Sequence, residues 1–165
     1  MSLYKNLFVL ESTSYAQALS LLNQCSFLLE ENIFEISPTP AGAVLILNLS
    51  NQDHFPFLQS QAEQLKDVRF QIFTDVPEKV VKAYLSQTEI MPLEHLACYE
   101  TNSVVAAFQF AVTIVNQGFD IYDFRFLRAS THKCLVFSNA TDSKISEQNH
   151  ILLNVNPLVK GLFSN

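Results

Sequence analysis

The chain has 165 residues, 48% of them hydrophobic, with 14 Phe, no Trp and three glycines, Gly42, Gly118 and Gly161. That length and apolar fraction suit a globular chain with a substantial core. Three isolated glycines exclude a dinucleotide fingerprint or a phosphate-cradling loop, which need several glycines close together. A net charge of −6, from 10 Lys+Arg against 16 Asp+Glu, argues against a nucleic-acid partner, because phosphate binding is driven by basic side chains releasing counterions.

Residues 5–10 predict a short buried strand. The apolar run Leu7–Leu10 stops at Glu11, too short for a signal segment, and no later segment reaches the roughly 18 apolar residues that a membrane span needs. Ser14 with Gln17 three positions on is a capping-box pattern. It starts a helix through Leu29, with Tyr15, Ala18, Leu19, Leu22 and Cys25 at helical spacing. Strands at 32–37 and 43–49 flank Pro38-Thr39-Pro40-Ala41-Gly42, a breaker-rich hairpin loop. A helix at 53–66 and a strand at 68–74 follow, and Pro77 suits the first turn of a short helix to Ser86.

A second series repeats the first. It runs through a strand at 95–100, a helix at 103–117 closed by Gly118, strands at 120–128 and 133–139, a stunted helix near 142–149, a strand at 150–155 and a short helix from Pro157. The landmarks also repeat in order. Glu11-Ser-Thr-Ser14 and Glu100-Thr-Asn-Ser103 each follow an apolar run and precede a helix. Ala43-Val-Leu-Ile-Leu47 matches Lys133-Cys-Leu-Val-Phe137, and Val76-Pro77 matches Asn156-Pro157. The expected fold class is α+β, as two tandem ferredoxin-like βαββαβ units, each with a short C-terminal helix. Residues 1–90 form the first unit and 94–165 the second, whose second helix is shortened; Met91-Pro92 marks the boundary.

Leu10-Glu-Ser-Thr-Ser-Tyr-Ala-Gln-Ala18 and Tyr99-Glu-Thr-Asn-Ser-Val-Val-Ala-Ala107, with the two Pro-led endings, resemble bacterial microcompartment shell proteins and their BMC domain. The resemblance covers nearly the whole chain as a tandem pair. It implies a non-enzymatic structural protein that assembles as a trimer, six domains around a pseudo-sixfold axis, with the loops at 37–42 and 128–133 facing that axis. Other shell-like proteins become candidate partners. Family members carry an Asp and, one turn later, a Lys on the first helix, at the edge between neighbouring tiles. The matching positions are Asn23 and Phe27 in one unit and Val112 and Asn116 in the other, so assembly into flat sheets is not implied. A different reading of tandem ferredoxin-like units is a small-molecule-sensing regulatory module of the ACT type.

Arg125, Arg128 and Lys133 gather three bases in nine residues, with Ser130, Thr131 and His132 between them. Around a trimer axis they would border an opening that favours small anions; the same pattern also describes a solvated hairpin. Ser37 and Thr39 lie in the corresponding loop of the first unit. No metal or cofactor is expected: His95 and Cys98 point to opposite faces of a strand, and His132 with Cys134 makes only two ligands. Cys25, Cys98 and Cys134, without any CxxC pair, read as reduced thiols of a cytoplasmic protein. Glu11 and Glu100 are the repeated carboxylates, each placed to meet the positive end of the helix that follows it.

Overall fold

Uninterrupted apolar residues along Leu7–Leu10 and Val44–Leu47 commit both segments to burial on two faces. In the computed structural model, which describes residues 6–25, 33–88, 95–129, 131–140 and 150–154, they form the centre of a four-stranded sheet. Its strands are β1 (Leu7–Ser12), β2 (Ile33–Thr39), β3 (Gly42–Asn48) and β4 (Val68–Phe73). The order is β2-β3-β1-β4, and every neighbouring pair is antiparallel. A second four-stranded sheet has β5 (His95–Thr101), β6 (Ile121–Leu127), β7 (Lys133–Ser138) and β8 (His150–Asn154), in the order β6-β7-β5-β8. Four helices accompany them among the described residues: α1 (Tyr15–Gln24), α2 (Phe55–Glu63), α3 (Glu78–Tyr84) and α4 (Val104–Asn116).

Both long helices start as their sequences predict. Ser14 caps α1 by accepting from the Gln17 N–H, and Ser103 caps α4 by accepting from the Ala106 N–H. Each Ser is held in turn by a hydroxyl two residues earlier: the Ser14 N–H donates to Ser12 Oγ at 3.0 Å, and the Ser103 N–H to Thr101 Oγ1 at 3.2 Å. Such caps contribute about 1 kcal/mol each.

Three expectations need correction. The helix α1 ends at Gln24 with Cys25 as its C-cap; the rest of the expected helix lies outside the described residues, as do the helices expected near 142–149 and from Pro157. The Pro-rich loop is shorter than its composition suggests. Strand β2 runs through Pro38 to Thr39, which pairs with Gly42, so Pro40 and Ala41 alone make the turn. Pro38 is tolerated because β2 is an edge strand, where a missing N–H breaks no interior ladder. Finally, the repeat is offset by one residue in β3 and β7. Glu11 pairs with Val44 and Glu100 with Leu135, so Val44 and Ile46 correspond to Leu135 and Phe137. A one-residue shift exchanges the faces of a strand, so the apolar runs alone assign these side chains to the wrong side.

Gly42 explains the tight turn. Its φ is +135°, and a Cβ there would lie 2.0 Å from the Ser12 carbonyl oxygen. Only glycine lets the hairpin close against the end of β1.

The first sheet is covered on both faces. Phe8, Leu10, Leu45 and Leu47 pack with Ala18 and Leu21 of α1 and with Leu58 and Ala62 of α2. On the opposite face Leu7, Val9, Val44 and Ile46 join a core that includes Val104, Phe108 and Ile114 of α4. Helix α4 therefore lies between the sheets, in contact with β1 and β4 of one and β5, β6 and β7 of the other. Val104, Val105, Ala107, Phe108, Phe110, Ala111 and Ile114 are buried, and Gln109, Thr113 and Asn116 form a narrow exposed stripe. A helix packed from two sides needs an apolar surface much wider than a single stripe. Aromatic rings knit the junction: Tyr84 of α3 is 5.2 Å from Phe108 and 5.2 Å, edge-on, from Phe124, while Phe108 is 6.1 Å from Phe73.

The second sheet is patterned differently. Buried and half-buried residues alternate along β7, whereas β3 is buried almost throughout. Tyr99, Val136, Phe124 and Phe126 face the junction core. By register, Cys98, Glu100, Leu135 and Phe137 occupy the other face.

Candidate functional site at the junction of the halves

The end of β1 carries Glu11 to the face shared with Leu7 and Val9, directly against the start of α4. Its Oε1 accepts from Ser103 Oγ at 2.7 Å, and its Oε2 accepts from the Val104 N–H at 2.5 Å. The carboxylate thus binds both the cap hydroxyl and a free N–H at the positive end of a 13-residue helix. This corrects the local expectation: Glu11 caps the helix of the other half, not the one that follows it. Arg69, its cross-strand partner, approaches to 3.8 Å, and the Glu11 side chain is only 8% exposed. Charge-assisted bonds in such a protected place are worth about twice neutral ones.

Beside this carboxylate is a shallow recess of about 360 Å³ bordered by Thr13, Asp67, Arg69, Asn102 and His132. His132 occupies the turn before β7 with φ +49°, and its Nε2 is buried without a partner among the described residues. Burial holds its imidazole below the usual histidine range, with Glu11 acting in the opposite direction.

A second carboxylate joins the halves at the hairpins. Glu35 of β2 accepts from Ser37 Oγ at 2.5 Å and from the Tyr84 hydroxyl, and Arg128 Nη2 of the other half approaches to 2.6 Å. Arg128 also lies over the Phe126 ring at 5.1 Å. Burial first, and the Glu35 charge second, push the Tyr84 phenol well above its ordinary range.

The structure therefore brings Ser37 and Arg128, from the two expected loops, onto one carboxylate. Arg125 instead pairs with Asp123 on its own strand and lies 5.5 Å from the centre of the Phe137 ring. Lys133 pairs with Glu100 at 2.5 Å. Each of the three bases thus has a carboxylate neighbour. Thr131 is exposed, the Thr39 hydroxyl is buried without a partner among the described residues, and Ser130 lies outside them. Sequence reasoning missed Glu35, whose signal is an acidic residue set between Phe34 and Ile36 in a Pro-interrupted strand. Among the described residues no three His, Cys, Asp or Glu side chains converge as metal ligands. Burial raises the thiol of Cys25 to about 11 and also raises Cys134 and Cys98, so all three are held as neutral thiols.

The fold is that of a microcompartment protein. A microcompartments protein from Desulfitobacterium hafniense DCB matches over 96% of this chain and 99% of its own, at 15% identity and a TM-score of 0.73. At that identity the likeness is one of fold. A structure described as a glycine cleavage system transcriptional repressor aligns over 93% of the chain at 6% identity, but its TM-score of 0.32 is too low to indicate a common fold. No protein-family model and no curated protein sequence matches the chain. No helix among the described residues is long and apolar enough to cross a membrane.

Proposed function

We propose that this chain is a non-enzymatic structural protein of the microcompartment-shell kind, built from two ferredoxin-like units, residues 1–90 and 94–165, and assembling as a trimer. The observation that carries this reading is the fold likeness to a microcompartment protein over nearly the full length of both chains. The junction supports it as well. Its two buried carboxylates are engaged as hydrogen-bond acceptors that tie one half to the other, which is the work of a scaffold. In a trimer the β2–β3 and β6–β7 turns would surround the axis, with Ser37, Thr39, Arg128, Thr131 and His132 as the candidate border of an opening for small polar solutes. Such a protein works in the cytoplasm, alone or with other shell-like chains. Light scattering of the purified protein tests the reading: about three times the 18.7 kDa chain mass is expected, and a monomer at micromolar concentration overturns it.

A further inference from the structure

A cleft of about 330 Å³ opens between the end of α3 and the start of β6, bordered by neither Glu11 nor Glu35. Ligand sites typically measure roughly 300–1,000 Å³, so it is large enough for a small molecule. One wall belongs to the first half. Ser86, with φ +57°, turns the chain out of α3, and the Gln87 N–H closes on the Lys82 carbonyl at 2.7 Å. The Val81 and Ala83 carbonyls are bonded as well, so the negative end of this helix is largely satisfied. Asp120, Ile121 and Tyr122 of the second half supply the other wall.

The lining is rich in donors. Lys79, Lys82, Gln87, Thr88 and Tyr122 each offer at least one, against a single carboxylate, Asp120. Two lysines and one aspartate leave a formal charge of +1 in a chain whose net charge is −6. The Lys79 ammonium meets Asp120, and that of Lys82 meets Glu78 at 2.9 Å, yet the two lysines are 62% and 52% exposed. Ion pairs so open to water are weak, and an ammonium carries three donors, so both lysines can also serve a ligand. The Thr88 hydroxyl oxygen is buried without a partner among the described residues, a costly state unless something bonds it. Burial first, and the Asp120 charge second, raise the Tyr122 phenol above its ordinary range, which keeps it a donor. The recess beside Glu11 has the opposite balance, with Glu11 and Asp67 against Arg69.

We infer that the cleft between α3 and β6 binds a small monocarboxylate with a short apolar body. Lys79, Lys82 and the Thr88 hydroxyl take the carboxylate, and the body lies against the Tyr122 ring and the lysine stems. One negative charge matches the surplus of the lining. A doubly charged phosphate exceeds it, and the cleft lacks the arginines or helix N-terminal amides that favour phosphate. Every lining residue comes from one chain, so the site does not depend on assembly into a trimer.

Benzoate is the probe, with benzamide and inorganic phosphate as comparisons, and amide NMR shifts of the full-length protein are the readout. Benzoate is expected to shift Gln87, Thr88 and Tyr122 with a dissociation constant on the order of 1 mM. Benzamide, its neutral counterpart, and phosphate should bind about tenfold more weakly or worse. Lys82→Gln and Thr88→Val should each weaken benzoate about fivefold. Thr88→Val should also leave the melting temperature unchanged or higher, because valine fills the same space without an unbonded hydroxyl. A hydroxyl with a purely structural role would do the reverse, lowering the melting temperature and sparing benzoate, and that result overturns the role of Thr88. Benzamide or phosphate binding as tightly as benzoate overturns the monocarboxylate class. Benzoate affinity unchanged in both variants, or no shifts at concentrations well above the expected constant, overturns the site.

Discussion

Arg128 and Glu35 are 93 residues apart and meet with Nη2 2.6 Å from Oε1, the second half's hairpin laid against the first half's edge strand. The two partners are unequal. Arg128 is 54% exposed and Glu35 only 10%, so water screens the arginine, whereas the carboxylate also serves Ser37 and Tyr84. Arg128→Ala is expected to cost on the order of 1 kcal/mol. Glu35→Ala should cost about 2–3 kcal/mol, because it strands a buried phenol and a hydroxyl without their acceptor. Urea titrations of both variants measure this, and equal losses would contradict the assignment of Glu35 as the hub.

Glu11 is expected to matter more. Glu11→Ala removes both acceptors at the start of α4 and leaves a cap hydroxyl and an amide in a water-poor junction, at about 3 kcal/mol. The loss should be local before it is global: amide exchange at Val104 and Val105 should accelerate well below the denaturation midpoint. Unchanged protection there would refute the role given to Glu11.

Two glycines with positive φ separate packing from backbone strain. Gly118 has φ +92° and open space around a notional Cβ, so Gly118→Ala should cost about 1 kcal/mol of backbone strain alone. Gly42→Ala adds a collision with the Ser12 carbonyl and the Thr13 backbone. We expect a loss beyond about 3 kcal/mol, or no soluble protein. Paired melting curves decide it, and similar values for the two variants would mean that the end of β1 yields to the added methyl.

Stability should decline on both sides of neutrality. The thiol of Cys25 is raised from 9.0 to about 11 by burial. The unfolded chain therefore releases that proton first, and the thiol's contribution, complete below pH 9, is lost as pH climbs toward 11. The raised Cys134 and Tyr84 groups act in the same direction. On the acid side, His132 is depressed below 6.5, so the unfolded chain binds its proton first and stability falls as pH drops beneath about 6.5. Denaturation midpoints from pH 5 to 10 chart both limbs, and His132→Asn, which also suits the left-handed backbone, should flatten the acid one. An acid limb unchanged by that substitution would show that other groups set it.

Much of this architecture is readable in advance where the signal is local. Ser14 and Ser103 announce their helices, because a cap is decided within three residues. The double-sided burial of β1 and β3 follows from uninterrupted apolar runs. Pro38 misleads, since proline reads as a breaker until the strand is known to be an edge. The partner of Glu11 is invisible for a different reason. Its neighbours in sequence predict a cap on α1, and only the packing of α4 against the other half redirects it. A clue was present in α4 itself, where Val104-Val-Ala-Ala-Phe-Gln-Phe-Ala-Val offers a single polar residue, Gln109, which heads a stripe only as wide as Thr113 and Asn116. A helix with so narrow a polar stripe must be wrapped from two directions.

The position of α4 also sets the order in which the protein is made. While the chain emerges from the ribosome, all four strands of the first sheet are available once residue 73 is out, yet the face holding Leu7, Val9, Val44 and Ile46 lacks the cover that α4 gives it. It remains open until α4 follows, some thirty to forty residues later by chain order. During that interval the nascent first half presents an adhesive apolar surface to chaperones and to neighbouring nascent chains. A chain truncated before Val104 would keep that surface without the cover that α4 supplies.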